Sequence, residues 1–136
     1  MNAVFYVKLY LLTVPVFFAI DMLWLGLVAR RFYGENIGHL MAPSVNWPAA
    51  LTFYLLFIVG IILFAVVPAL RSGSLRTALV WGALFGFFTY ATYDLTNLAT
   101  LRDWPLKVAM ADIAWGVVLC STVAAVSTLL GRWLAR

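Results

Sequence analysis

Three aspartates stand inside otherwise apolar stretches of the sequence: Asp21, Asp94 and Asp112. A carboxylate at the centre of a membrane helix costs roughly 2.5–3.5 kcal/mol on insertion scales, so such residues face an interior and need partners. Hydrogen-bonding side chains recur beside them. Trp24 lies three residues after Asp21, and Trp115 three after Asp112. Tyr93 precedes Asp94, and Asn97 follows it by three. Two carboxyl groups with different environments can act as acid and base. Asp94 and Asp112 are therefore the candidate catalytic pair. Asp21, Trp24, Tyr93, Asn97 and Trp115 are the candidate substrate-binding residues, each indole covering or donating to the acid on its own helix. The same buried acids could carry protons or small cations, or hold helices together.

The elements that position these residues follow from composition. Of 136 residues, 65% are hydrophobic and 10% are charged. A soluble domain is roughly half apolar and about a quarter charged. A chain this short cannot bury that much apolar surface within itself, so lipid must cover the rest. Four runs meet the length of about 20 residues that a spanning helix needs: 5–29, 47–70, 75–99 and 105–131. The expected fold is a single all-α, four-helix transmembrane domain with both termini on one side. The first run resembles the core of a signal peptide, but it is too long and is read as a retained helix. Asn46, Ser74 and Asp103 are expected N-caps of the later helices, with Pro48 and Pro105 in first turns. Residues 30–46 are expected to form the longest loop, containing His39.

Because helix direction alternates, the three aspartates fall towards the same side of the membrane. Each lies about five to eight residues inside a boundary, or roughly 8–12 Å deep. One polar pocket, open towards the long loop, is expected. The other half of the membrane shows only small and apolar residues, which counts against a transport path. Ala78, Gly82, Gly86, Tyr90 and Asp94 recur every four residues, as do Asp112, Gly116, Cys120, Ala124 and Thr128. Such stripes let membrane helices approach closely, and they offer a surface for a homodimer.

Other classes of function are excluded or unsupported. The net charge is +4, but the cations sit singly or in pairs at the ends of apolar runs. That distribution argues against nucleic acid as a partner. Five cations fall on the side of the termini and four on the other, which favours cytoplasmic termini. The lone Cys120 excludes an intrachain disulfide, and the lone His39 excludes a multi-histidine metal site. No cofactor or metal is expected.

The segments Asp21-Met-Leu-Trp24-Leu-Gly26, Tyr93-Asp94-Leu-Thr-Asn97, Trp104-Pro105 and Asp112-Ile-Ala-Trp115-Gly116 resemble the bacterial membrane-protein family catalogued as domain of unknown function 2177. The resemblance spans nearly the whole chain. It implies a four-helix protein of the bacterial inner membrane and carries no established activity. Three readings of function therefore stand: a pocket that binds or modifies a lipid or other amphiphile, a proton- or cation-coupled transporter, and a structural subunit.

Overall fold

The computed structural model describes residues 1–136 and contains helices and short turns only. Helix α1 runs from Ala3 to Trp24 and starts at Asn2, whose side chain accepts from the Phe5 amide. It does not stop at the expected boundary. A π-turn over Leu25–Ala29 carries it into α2, Arg30–Ile37, and a 3₁₀ turn over Gly38–Leu40 closes the segment. The expected long loop is thus mostly helical, because 30–37 is polar but amphipathic. Its apolar residues Phe32, Tyr33 and Ile37 pack on Trp104 and Val108, beyond the end of α1.

Helix α3 spans Trp47–Ile61, capped by Asn46 with Pro48 in its first turn. A π-turn at Ile62–Val66 leads into α4, Val67–Ser72. Gly73 then takes φ +67° and reverses the chain into α5, Leu75–Thr100, with Ser74 as cap. The turn falls between the runs 47–70 and 75–99, and a positive φ is the conformation that favours glycine. Helix α6 spans Leu106–Leu134. Its N-cap is Pro105 and has no side-chain bond, so Asp103 is not the cap expected from sequence. Asp103 instead lies 3.4 Å from His39 Nε2, at the far end of the α2 segment.

Three segments are long and apolar enough to cross a membrane: Ala3–Leu40, Trp47–Ser72 and Leu106–Leu134. Helix α5 completes the bundle. Its 26 residues span about 39 Å. It packs antiparallel to α6 along the two small-residue stripes, Gly82 facing Cys120 and Ala124, and Gly86 facing Gly116. A Cβ placed on Gly86 would sit 2.0 Å from the Gly116 carbonyl oxygen, so the two backbones are in direct contact. Gly82, Gly86 and Gly116 of these stripes are thus packed inside the chain. Helix α1 also lies antiparallel to α6. Asp21 meets Trp115 near the start of α6, and Thr13, nearer the N-terminus of α1, meets Ser127 near the end of α6. Both termini therefore lie at one end of the bundle. Large apolar side chains such as Leu11, Leu27, Leu56 and Phe88 point outward, where an all-α membrane bundle meets lipid.

Candidate functional site

The three aspartates are buried at the end of the bundle opposite the termini, Asp94 and Asp112 on the helix faces that the four-residue spacing predicts. They form a pair and a third member, not one symmetric cluster. No three His, Cys, Asp or Glu side chains converge as a metal site. Asp94 on α5 faces Asp112 on α6, because the glycine contacts bring those two helices together one and two turns deeper. Asp112 accepts a hydrogen bond from the Tyr33 hydroxyl. Tyr33 accepts in turn from Trp24 Nε1 at 3.2 Å. Asp21 on α1 accepts from Trp115 Nε1 at 3.2 Å, and the Tyr54 hydroxyl also faces it.

Neither indole donates to the acid on its own helix, contrary to expectation: Trp115 serves Asp21, and Trp24 serves Tyr33. A residue three positions on lies about 4.5 Å further along its helix axis. In an antiparallel pair, that advance moves Trp115 away from Asp112 and level with Asp21 of α1. Trp24 and Trp115 then stack, with centroids 4.9 Å apart and planes 7° from parallel. The result is a continuous chain of contacts. Trp115 donates to Asp21 and stacks on Trp24, which donates to Tyr33, which donates to Asp112 beside Asp94.

Asp94 is the exception to this satisfaction. It has 0% exposure, and although Asp112 and Trp104 both face its carboxyl, no hydrogen bond of ordinary geometry reaches either oxygen. Trp104 Nε1, which faces it, is also buried and unbonded. Tyr93 and Asn97 lie next to each other on α5, but Tyr93 is exposed, and its ring packs edge-on against Trp104. Neither bonds Asp94. Asp21 has no cationic partner either, since Arg31 pairs with Glu35 on the surface. Beside the acid pair lies a cavity of about 660 Å³, walled by Phe53, Phe57, Phe88, Tyr90 and Tyr93, with Asp112 among its lining residues.

Tyr33 and Trp104 are the site residues that chemistry-by-spacing missed. Tyr33 lay in an assumed loop; the amphipathic pattern of Phe32, Tyr33 and Ile37 was the signal that could have placed it. Trp104 needed the fold of α2 over it to become buried.

A small all-α membrane bundle with carboxyl groups buried at one end is the class that the fold and site define. The family described as a predicted membrane protein, DUF2177, matches residues 6–129, and this chain belongs to it. Among curated proteins, the chain is similar to the fluoride-specific ion channel FluC of Citrifermentans bemidjiense, at 27% identity over 112 residues. That match covers 81% of this chain and 90% of the relative. The FluC of Anaeromyxobacter sp. strain K is 39% identical over 62 residues, covering 46% of this chain and 49% of the relative. The FluC of Geobacter sp. strain M21 is 26% identical over 112 residues, covering 81% and 90%. No solved structure matches. These relatives overturn the expectation that the site binds or modifies a lipid or amphiphile. They carry the name of an ion channel, which agrees with the transport reading instead.

Proposed function

We propose that this chain lets a small ion cross the bilayer, as a channel or a transporter, and that the ion exchanges water for protein groups at the acid layer. The observation that carries this reading is Asp94. Its carboxyl is sealed in the bundle beside Asp112 and Trp104 Nε1 with neither oxygen in a hydrogen bond of ordinary geometry, whereas Asp21 and Asp112 each accept a well-defined bond from another helix. An unbonded buried polar group is costly, and an ion or water that bonds it would remove that cost. Asp94 and Asp112 are the groups that meet the ion. Asp21, Trp24 and Trp115 hold the layer in place through their bonds and stacking. Tyr93 and Asn97 stand at the mouth. The protein sits in the inner membrane with cytoplasmic termini, as the five-to-four distribution of cations favours.

The relatives make fluoride the first ion to test. A carboxyl group accommodates fluoride only in its neutral form, through its O–H; in its ionised form it takes a proton or a metal cation. Asp94→Asn separates these cases, since the amide still donates but cannot exchange a proton. The experiment is ion release from proteoliposomes, followed with a fluoride electrode and a pH-sensitive dye. Fluoride release by the wild type that survives Asp94→Asn identifies an anion pathway. Proton movement abolished by the same substitution identifies proton transfer. Liposomes that release no fluoride, proton, sodium or potassium contradict the proposal.

A further inference from the structure

The cavity beside the acid pair is larger than the passage of a small ion requires. Its volume of about 660 Å³ lies in the range of small-molecule sites, roughly 300–1,000 Å³. One water takes up about 30 Å³, so a bare ion would leave most of the space empty. Helix α3 supplies Phe53 and Phe57, α5 supplies Phe88 to Tyr93 apart from Ala91, and α6 supplies Asp112. Phe57 joins the two aromatic walls. Its ring centroid lies 5.3 Å from that of Phe53 on its own helix and 6.1 Å from that of Tyr90 on α5.

The lining suits a positive charge that needs few hydrogen bonds. Five of the eight lining residues are aromatic, and an aromatic face attracts a cation within about 6 Å of its centroid. Asp112 is the one acidic residue among them, and no Lys, Arg or His lines the cavity. Thr89 Oγ1 donates to the Phe85 carbonyl at 2.7 Å, and Thr92 Oγ1 to the Phe88 carbonyl at 2.6 Å. Both therefore present lone pairs to an occupant, not protons. An anion would find only the two tyrosine hydroxyls as donors. A primary ammonium carries three N–H groups that each need an acceptor. An ammonium whose nitrogen bears only carbon needs none, and aromatic walls are the usual means of holding one.

We propose that the cavity between α3 and α5 binds a compact quaternary ammonium ion, its charge held by the aromatic walls and by Asp112. The ligand is the soluble ion, without an acyl chain. The site goes beyond the ion-passage reading and does not depend on it, because binding is measured with no ion crossing a bilayer.

The test is equilibrium dialysis of isotope-labelled choline against the protein in a maltoside detergent, which carries no ammonium group. Each protein is first checked for a monodisperse gel-filtration profile. Wild type is expected to bind choline saturably. The alcohol 3,3-dimethylbutan-1-ol has the shape of choline without the charge, and it is expected to compete at least about tenfold more weakly. Phe88→Leu removes an exposed ring and is expected to weaken binding about fivefold, the effect of one lost cation–π contact. Phe88→Tyr keeps a ring and is expected to stay within about twofold of wild type. Asp112→Asn can still accept from Tyr33 but loses the charge, and is expected to weaken binding about tenfold or more. A wild type that binds no choline would overturn the proposal. So would equal competition by the alcohol, or a Phe88→Leu variant that binds like wild type, since an apolar groove alone would then suffice. Dihexanoyl phosphatidylcholine that displaces choline far better than unlabelled choline does would put a lipid headgroup in the cavity and overturn the soluble ion. Liposomes that release no ion would remove the ion-passage reading and leave this site standing, and absent choline binding would do the reverse.

Discussion

Replacing Gly86 with alanine tests the contact that sets the distance between Asp94 and Asp112. The new Cβ would lie 2.0 Å from the Gly116 oxygen, 2.6 Å from the Gly116 carbonyl carbon and 3.0 Å from the Cys120 Cβ. Two of these are backbone atoms of the facing helix, so no side chain can turn aside. Restoring ordinary contact requires α5 and α6 to separate by about 1 Å or more, against carbon contacts that are best at ~3.5–4.0 Å. Overpacking of this kind costs about 1–3 kcal/mol or more. Alanine gains up to ~1 kcal/mol over glycine in a helix, which offsets part of the loss. A net destabilisation of about 1–3 kcal/mol is expected. Gly26→Ala is the control, because nothing lies within 4 Å of its Cβ. Thermal unfolding in one detergent, with both variants beside wild type, reads the difference. Gly86→Ala with the midpoint of wild type or Gly26→Ala would refute the close α5–α6 contact and with it the geometry of the acid pair.

Further outcomes follow from the same contacts. Gly60→Ala should cost less than Gly86→Ala, since its Cβ meets only the far edge of the Phe85 ring at 2.7 Å, which can swing away; unfolding midpoints check the order. Tyr33→Phe removes the hydroxyl that bonds Asp112 and accepts from Trp24. It should cost about 1–2 kcal/mol in unfolding, and an unchanged midpoint would show that α2 does not pin the acid layer. Trp115→Phe and Asp21→Asn, combined in a double-mutant cycle, should couple by about 0.5–2 kcal/mol; additive effects would mean that the 3.2 Å bond contributes nothing. His39→Ala should change stability by less than about 0.5 kcal/mol, because its pair with Asp103 is exposed. A larger drop in the unfolding midpoint would make that pair a structural tie.

The bundle was legible because membrane helices leave strong marks. Long apolar runs, the Asn46 and Ser74 caps and the Gly73 turn all stand where the sequence puts them. The four-residue stripes correctly placed Asp94 and Asp112 on the seam between α5 and α6. Other features depended on tertiary context. The segment 30–37 is too polar to continue a spanning helix by composition, yet it stays helical through a π-turn because its apolar face finds Trp104 and Val108. The pairing of Trp115 with Asp21 depends on the relative depth of two antiparallel helices, which spacing within one helix cannot give. The hydroxyls of Thr13 and Ser127 are inconspicuous among apolar neighbours and become a pair only when α1 meets α6. Function was less legible than fold. Buried acids suit lipid chemistry, ion movement and helix glue alike, and the lipid reading fell to the ion-channel relatives.

The most direct measurement is fluoride release from proteoliposomes containing wild type or Asp94→Leu, with proton, sodium and potassium movement followed in parallel. Leucine keeps the branching at Cγ in a bulkier side chain and removes every polar atom. The account predicts that wild type releases at least one of these ions and that Asp94→Leu, folded and in the same amount, does not. Equal release by the two proteins would contradict a role for the acid layer, and silence from the wild type for all four ions would contradict ion passage itself.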